Sequence, residues 1–321
     1  MSTSTAFAHT NIALVKYWGK RKSAGLNLPA VGSLSLTLDR FGTETTVTLA
    51  DDDSFALDGH DVGAGEAAKV SRFLDRVRVM AGRSDKARVT STNHVPTAAG
   101  LASSASAFAA LAMAASKAYG LDLDDEALSI LARQGSGSAA RSIFGGFVIW
   151  HRGTRDDGVD CFAEPLSTSL AVRLVVVRTG TGKKETGSTD GMELTASTSP
   201  YFKAWVDTHA QDLLDAQDAL RTADLPRLGE VMEHSTLKMH ATTLAARPGF
   251  FYFQPTTIAV LQAVKALRAQ GTGAWATMDA GPHVKILCAP DDAAAVAAFC
   301  SVVPGVVGVD VCAPGGPAVW R

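Results

Sequence analysis

The sequence predicts an α+β protein of two domains, and three observations predict it. The chain has 321 residues, more than one domain ordinarily holds. Its second half orders its candidate elements β-ααα-ββ-α-β, the pattern of a helix-backed antiparallel sheet. Its first half mixes alternating strand segments with helices, and the organisation changes near residue 168. The expected division is therefore 1–168 and 169–321, with a cleft between the two domains.

In order along the chain, residues 43–50 (TETTVTLA) alternate as a half-buried strand does, and residues 87–93 (ARVTSTN) read the same way. Between them, residues 65–81 carry Val70, Phe73, Leu74 and Val77 at helical spacing. Residues 103–118 are Ala-rich and predict a long helix whose small side chains admit close neighbours. A shorter helix is expected over 125–134, with Asp124 as its N-cap. It ends in Gly135, Ser136, Gly137 and Ser138, after which 147–151 resume as strand. Residues 170–178 (LAVRLVVVR) are a strand candidate, followed by a Gly/Lys/Thr-rich loop through Gly191. Ser199 and Pro200 read as an N-cap and first-turn pair opening a helix to about Arg221. Further helices are expected over 225–240 and 255–269. Strands at 274–279 and 284–289, a helix at 291–300 and a strand at 306–312 close the chain.

Composition narrows the function classes. Hydrophobic residues make up 46% and charged residues 19%, as in ordinary globular proteins. A formal charge of −2, from 30 basic and 32 acidic residues, gives no general attraction for nucleic acid or an anionic membrane. A local basic pocket within that balance would suit a small anionic substrate. No apolar run reaches membrane-span length, and the first nine residues lack the basic start and apolar stretch of a signal peptide. Cys161, Cys288, Cys300 and Cys312 lie far apart, as expected of reduced, buried thiols in a cytosolic protein.

Four segments bear chemistry. Residues 96–106 (PTAAGLASSAS) lead small residues and a glycine into a Ser-rich helix start, where outward N–H groups and the helix dipole favour phosphate. No G-K-[ST] follows the glycine, so it is not a Walker loop; an ordinary Ser-capped helix is the alternative. Residues 136–142 (SGSAARS) form a second hydroxyl-rich turn ending in Arg141, whose guanidinium can fork onto a carboxylate or phosphate. A plain surface turn would look similar. Residues 11–21 (NIALVKYWGKR) gather Lys16, Lys20 and Arg21 around Tyr17 and Trp18, which by itself also describes an edge strand with solvated lysines. In residues 277–283 (TMDAGPH), Asp279 ends a strand before a Gly-Pro turn, where an aspartate often serves the turn alone. Together they supply two phosphate-binding turns, a lysine, an arginine and one carboxylate, the inventory of phosphoryl transfer to an anionic alcohol. The histidines show no metal-binding spacing.

These segments, in this order, closely resemble the diphosphomevalonate decarboxylases of the GHMP kinase superfamily. The resemblance rests on AHTNIALVKYWGKR (8–21), VPTAAGLASSASAFAALA (95–112), LARQGSGSAARSIFGGF (131–147), MHAT (239–242) and TMDAGP (277–282). It implies a GHMP fold with an ATP-binding N-terminal domain, a ferredoxin-like C-terminal domain and an active site between them. The implied reaction is ATP-dependent decarboxylation of mevalonate 5-diphosphate to isopentenyl diphosphate, with ATP as cosubstrate and Mg2+. A cytoplasmic homodimer with no nucleic-acid or membrane partner is implied as well. By motif, Pro96, Ala98, Ala99, Gly100, Leu101, Ala102, Ser103, Ser104 and Ser106 resemble the ATP loop, with Ser104 the magnesium contact. Tyr17, Trp18, Gly19, Lys20, Ser136, Gly137, Ser138, Ala139, Ala140 and Arg141 resemble the substrate contacts. Lys69 matches a basic position of the family, and Ser188 and Thr189 a loop that closes on the same ligand.

Asp279 is the implied catalytic carboxylate, orienting the tertiary hydroxyl and taking its proton. Lys16 keeps it ionised, and Arg141 holds the substrate carboxylate in line for CO2 loss. This chain has His283 where many relatives have Asn, Ala140 in place of Ser or Cys, and no Asn-rich variant of the 29–36 segment. The alternatives are a phosphomevalonate decarboxylase, a mevalonate 3-kinase and a catalytically silent binding protein of the same fold. A pure kinase would need no Arg141 to steer carboxylate loss. A silent protein would show a disrupted Asp279 or 96–106 loop.

Overall fold

The computed structural model describes residues 2–21, 25–94, 103–180 and 185–321. β1 (Thr3–Val15) and β2 (Ser33–Ala50) pair antiparallel as the spine of a first sheet. β3 (Ser54–Leu57) and β4 (His60–Asp61) form its far edge, and α1 (Ala64–Ala81) leads to β5 (Lys86–His94), which joins β3 to β2. Next come α2 (Ser103–Ala118), α3 (Asp125–Gly135) and a 3-10 helix at Gly137–Ile143. β6 (Phe147–Trp150) then pairs with β2, and β7 (Ala163–Leu166) with β6.

The second sheet begins with β8 (Arg173–Arg178). Four helices follow: α4 (Ser188–Thr198), α5 (Phe202–Arg221), α6 (Leu225–Leu244) and α7 (Pro255–Ala269). β9 (Ala274–Met278), β10 (Val284–Cys288), α8 (Ala293–Ser301) and β11 (Gly308–Cys312) complete it in the antiparallel order β11-β8-β10-β9. β12 (Val319–Trp320) returns to pair with β1. The expected α+β arrangement is the one observed.

Local chemistry explains the elements that position the site. Asp124 caps α3 by accepting from the Ala127 N–H at 2.8 Å. In α2, Ala109, Ala110, Ala112, Ala114 and Ala115 are buried, and their small side chains let the helix lie directly on β1 and β2. β1 carries a register shift between His9 and Asn11, and such a bulge reverses which face a side chain takes. Ala6 and Ala8 therefore pack beneath the helices of the first half, whereas Ile12 and Leu14 pack toward the second sheet. Asn11 is thereby aimed at the 3-10 helix. β10 alternates in the same sense: Val284 and Ile286 face α7 and α8, and Leu287 faces the first sheet. One apolar cluster, with Leu34 and Leu36 of β2, Leu174 of β8 and Leu228 and Met232 of α6, joins the two halves.

Three expectations need correction. The loop expected through Gly191 is helical from Ser188, because Gly187 is an extended N-cap and α4 buries Met192 and Thr195. Ser199 ends α4, accepting no cap role for α5, which starts at Phe202. The segment after β1 is not an edge: Lys16 and Trp18 are buried. All four cysteines are free and buried, as expected. Among the described residues no helix is long and apolar enough to cross a membrane.

Candidate active site

The seam between the two sheets brings together residues that are far apart in sequence. Lys16, just past β1, extends Nζ to Asp279 Oδ1 at 2.8 Å and to the Ala13 carbonyl at 2.8 Å. Its own backbone N–H donates to Ser235 Oγ of α6 at 3.0 Å. Asp279 follows β9, whose last residue is fixed by Thr236 of α6: Thr236 Oγ1 donates to the Met278 carbonyl at 2.9 Å. A second ammonium, Lys285 Nζ of β10, reaches Asp279 Oδ2 at 2.9 Å. The two lysine side chains are 1% and 5% exposed, and Asp279 is 31% exposed, with an open edge to the cleft.

Electrostatics follow from that packing. Burial pulls Lys16 down to about 8, against the opposing pull of Asp279. Burial alone would push the Asp279 carboxyl up. Lys16 and then Lys285 together outweigh it and hold Asp279 well below the usual carboxylate range. Burial also lowers Arg141 to about 10, again opposed by Asp279. Three cationic side chains thus surround one carboxylate, an excess of positive charge in a partly desolvated seam that suits a multiply anionic ligand.

Arg141 sits in the 3-10 helix. Its Nε donates to Asn11 Oδ1 at 3.0 Å and its Nη1 to Ser33 Oγ at 2.6 Å, and the guanidinium lies over Trp150 at 5.7 Å. Asn11 also donates to the Ser138 carbonyl and to Ser142 Oγ. Tyr17 is placed against Gly137, where an added Cβ would meet the phenol oxygen at 2.8 Å, so only glycine admits that approach. Among the described residues the buried Tyr17 hydroxyl has no hydrogen-bond partner, and burial raises its pKa, so it is a protonated donor. Ser136 Oγ lies 3.4 Å from both Ser104 Oγ and Ser138 Oγ, which joins the start of α2 to the SGS turn through hydroxyls. Lys20 donates to Asn27 Oδ1 at 2.9 Å; burial lowers its pKa, Glu193 opposes that, and Lys69 on exposed α1 surface adds to it.

The remaining expected site residues divide in three. Pro96, Ala98, Ala99, Gly100, Leu101 and Ala102 lie outside the described residues, and Ser103 is described by its backbone alone. Trp18, Ser106, Ala139 and Ala140 have buried side chains. Trp18 Nε1 donates to Thr195 Oγ1 of α4 at 2.8 Å, and Ser106 Oγ pairs with Thr43 Oγ1 at 2.8 Å. Gly19 packs against the Phe202 ring. Ser188 and Thr189 form the first turn of α4, which Trp18 anchors beside Lys20.

Sequence reasoning missed Lys285, Ser33 and Asn11. A lysine inside the apolar run VKILC was the available signal for Lys285; Ser33 carried none. Among the described residues no cluster of His, Cys, Asp or Glu could hold a metal. The donors present near Ser104 are hydroxyls, which fits magnesium carried on a triphosphate rather than caged by carboxylates. A groove between α5 and α6 lies apart from this site; there Asp212 and Asp215 are paired to Lys238 and Arg227.

Comparison with known proteins bears on the same residues. Residues 8–163 match the family described as diphosphomevalonate decarboxylase-like N-terminal domain. Residues 173–309 match the mevalonate 5-diphosphate decarboxylase C-terminal domain. The diphosphomevalonate decarboxylase of Gibberella zeae is 37% identical, over 94% of this chain and 85% of its own. The phosphomevalonate decarboxylase of Haloferax volcanii is 35% identical, over 98% of this chain and 96% of its own. A solved structure described as MDDEF in complex with MVAPP, AMPPCP and magnesium superposes with a TM-score of 0.94 at 42% identity. It covers 100% of this chain and 99% of that one.

Proposed function

The chain belongs to the diphosphomevalonate decarboxylase family, and from that premise we propose how its cleft carries out the reaction. It uses ATP to convert mevalonate 5-diphosphate to isopentenyl diphosphate, releasing ADP, phosphate and CO2. The observation that most supports the residue roles is the convergence of Lys16, Asp279 and Arg141, from three distant segments, on one seam.

Asp279 accepts a hydrogen bond from the substrate's tertiary hydroxyl and aims its oxygen at the γ-phosphorus of ATP. Two ammonium groups make this carboxylate a weak base. It therefore orients the hydroxyl first, and takes the proton late, once the forming P–O bond has acidified it. Lys16 stabilises the ionised carboxylate. Magnesium, when bound, neutralises triphosphate charge, and Ser104 offers it a hydroxyl. The 3-phosphate then leaves with the C–O electron pair. The bond to the carboxylate carbon breaks, its electrons form the double bond, and CO2 departs. Arg141 holds that carboxylate in line through its remaining donors. Tyr17, Lys20, Lys69, Ser136, Ser138, Ser188 and Thr189 serve the diphosphate. Residues 96–106 cradle ATP.

The 1–168 and 169–321 division is retained as the domain proposal, and a cytoplasmic homodimer as the cellular form. Four free thiols suit a reducing compartment. A second reading, decarboxylation of the monophosphate, is favoured by the similarity to the Haloferax volcanii enzyme.

One assay separates the readings: ADP, phosphate and CO2 scored together with each substrate. Equal amounts of all three from the diphosphate are expected. Turnover confined to the monophosphate would establish the second reading, and ADP without CO2 would make the chain a 3-kinase. In Asp279→Asn, kcat should fall roughly 10²–10⁴-fold, as for loss of a general base, with KM within a few-fold. Near-normal turnover there would remove Asp279 from the mechanism.

A further inference from the structure

We infer that Lys285 is a positioning residue for phosphoryl transfer, holding the Asp279 carboxylate from the second sheet while Lys16 holds it from the first. This rests on the role given to Asp279 above.

The geometry divides the carboxylate between two anchors. Oδ1 receives Lys16, which follows β1, and Oδ2 receives Lys285, from β10. Hydrogen bonds to both oxygens from opposite sides fix the plane of the carboxylate as well as its position. Each oxygen keeps a further lone pair for a hydroxyl arriving from the exposed edge. With Lys16 alone, the Asp279 side chain could still pivot about the Oδ1 contact. A near-attack geometry is sensitive to such rotation, since displacement of about 1 Å costs on the order of 10²-fold in rate.

Stability gives no comparable reason for a lysine at this position. Lys285 points to the same face of β10 as Leu287, toward the apolar cluster between the sheets. Burying an ammonium there costs free energy that an ion pair often only partly offsets. Among the described residues its other acceptor is the His283 carbonyl at 3.4 Å. Lys285 adds to the charge that keeps Asp279 ionised, but what it alone contributes is a hydrogen bond to the second carboxylate oxygen, Lys16 already holding the first. The second lysine is explained by the orientation of the carboxylate.

The other charged and titratable groups facing Asp279 do not duplicate this role. Arg141 spends two donors on Asn11 and Ser33. His240 of α6 is pulled down to about 3 by burial, so it brings no charge at working pH.

The test is a double-mutant cycle of Lys285→Met and Asp279→Asn, read by ADP release with mevalonate 5-diphosphate and ATP. Lys285→Met should lower kcat at least tenfold and leave KM for the diphosphate within threefold. In the Asp279→Asn background the same change should alter kcat less than twofold, because the group it orients is gone. Should Lys285→Met fail to fold, Lys285→Gln carries the same cycle. A kcat within threefold of the parent for the single variant would overturn the inference. So would an equal loss in both backgrounds, which would mean that Lys285 acts on the ligand directly. If Asp279→Asn itself keeps normal turnover, the role of Asp279 fails before that of Lys285 is reached.

Discussion

Lys16 is buried against its own charge, and that makes it the residue whose titration should be visible. Burial brings its pKa from the ordinary 10.5 to about 8. Below about 8 it is an ammonium and holds Asp279 Oδ1. As pH rises through 8 it loses the proton and the charge-assisted bond, so kcat should fall on the alkaline side with a midpoint near 8. The stability contribution has the opposite sign. Between about 8 and 10.5 the unfolded chain keeps a proton here that the folded chain has released, so this group's contribution to stability rises with pH and is lost as pH falls through 8. Steady-state profiles and denaturant unfolding from pH 7 to 10, with Lys16→Met as the reference, check both signs. A flat kcat across that range would show that Lys16 is not the titrating group. The sequence placed Lys16 beside Tyr17 and Trp18, but its burial depends on α6 and the second sheet lying over it.

Among elements, α6 has the largest part in assembling the site. Ser235 receives the Lys16 N–H, and Thr236 fixes Met278, one residue before Asp279. The register between helix and strand thus sets the distance between the two catalytic partners. Close approach depends on Gly229: a Cβ there would meet the Trp275 indole at 2.2 Å, near the base of a buried ring that cannot step aside. Gly229→Ala should destabilise by about 1–3 kcal/mol, the cost of overpacking a full core. It should also lower kcat by shifting α6 against β9. Urea unfolding and steady-state kinetics on the same preparation check the two effects; an unchanged midpoint would mean that the contact relaxes freely. The helical pattern of 225–240 was readable from spacing, whereas the glycine's purpose depended on a tryptophan 46 positions later.

At the scale of the whole molecule, the last residues strap the first sheet to its helices. The Gly315 N–H donates to Thr37 O and the Ala318 N–H to Ile143 O, at 2.8 and 3.0 Å. Trp320 Nε1 reaches the Met113 carbonyl at 3.0 Å, the Arg321 N–H reaches Thr5 O, and β12 pairs with β1. Deleting residues 318–321 removes several of these bonds, at about 1 kcal/mol net for each. A loss of roughly 2–4 kcal/mol is expected, read as a lower urea midpoint. An unaltered midpoint would show that the strap adds nothing. A two-residue strand has no periodicity to read, and no sequence expectation placed one at 319–320.

The sequence by itself determined the α+β class, most helices and strands, and the segments that carry the chemistry. Each of those depends on residues near one another in the chain: apolar spacing in residues 65–81, an Asp cap at 124, Ser and Gly around 136–138. The structure alone decided what those segments do to one another. It set two lysines on Asp279, turned Asn11 onto Arg141 through a bulge in β1, brought Ser33 of β2 to the same guanidinium, and gave Trp18 and Ser106 hydroxyl partners on α4 and β2. The reason is physical: burial and charge pairing depend on which distant surfaces cover a side chain. Lys285, one cation in an apolar strand, acquires its meaning only where the second sheet meets the first.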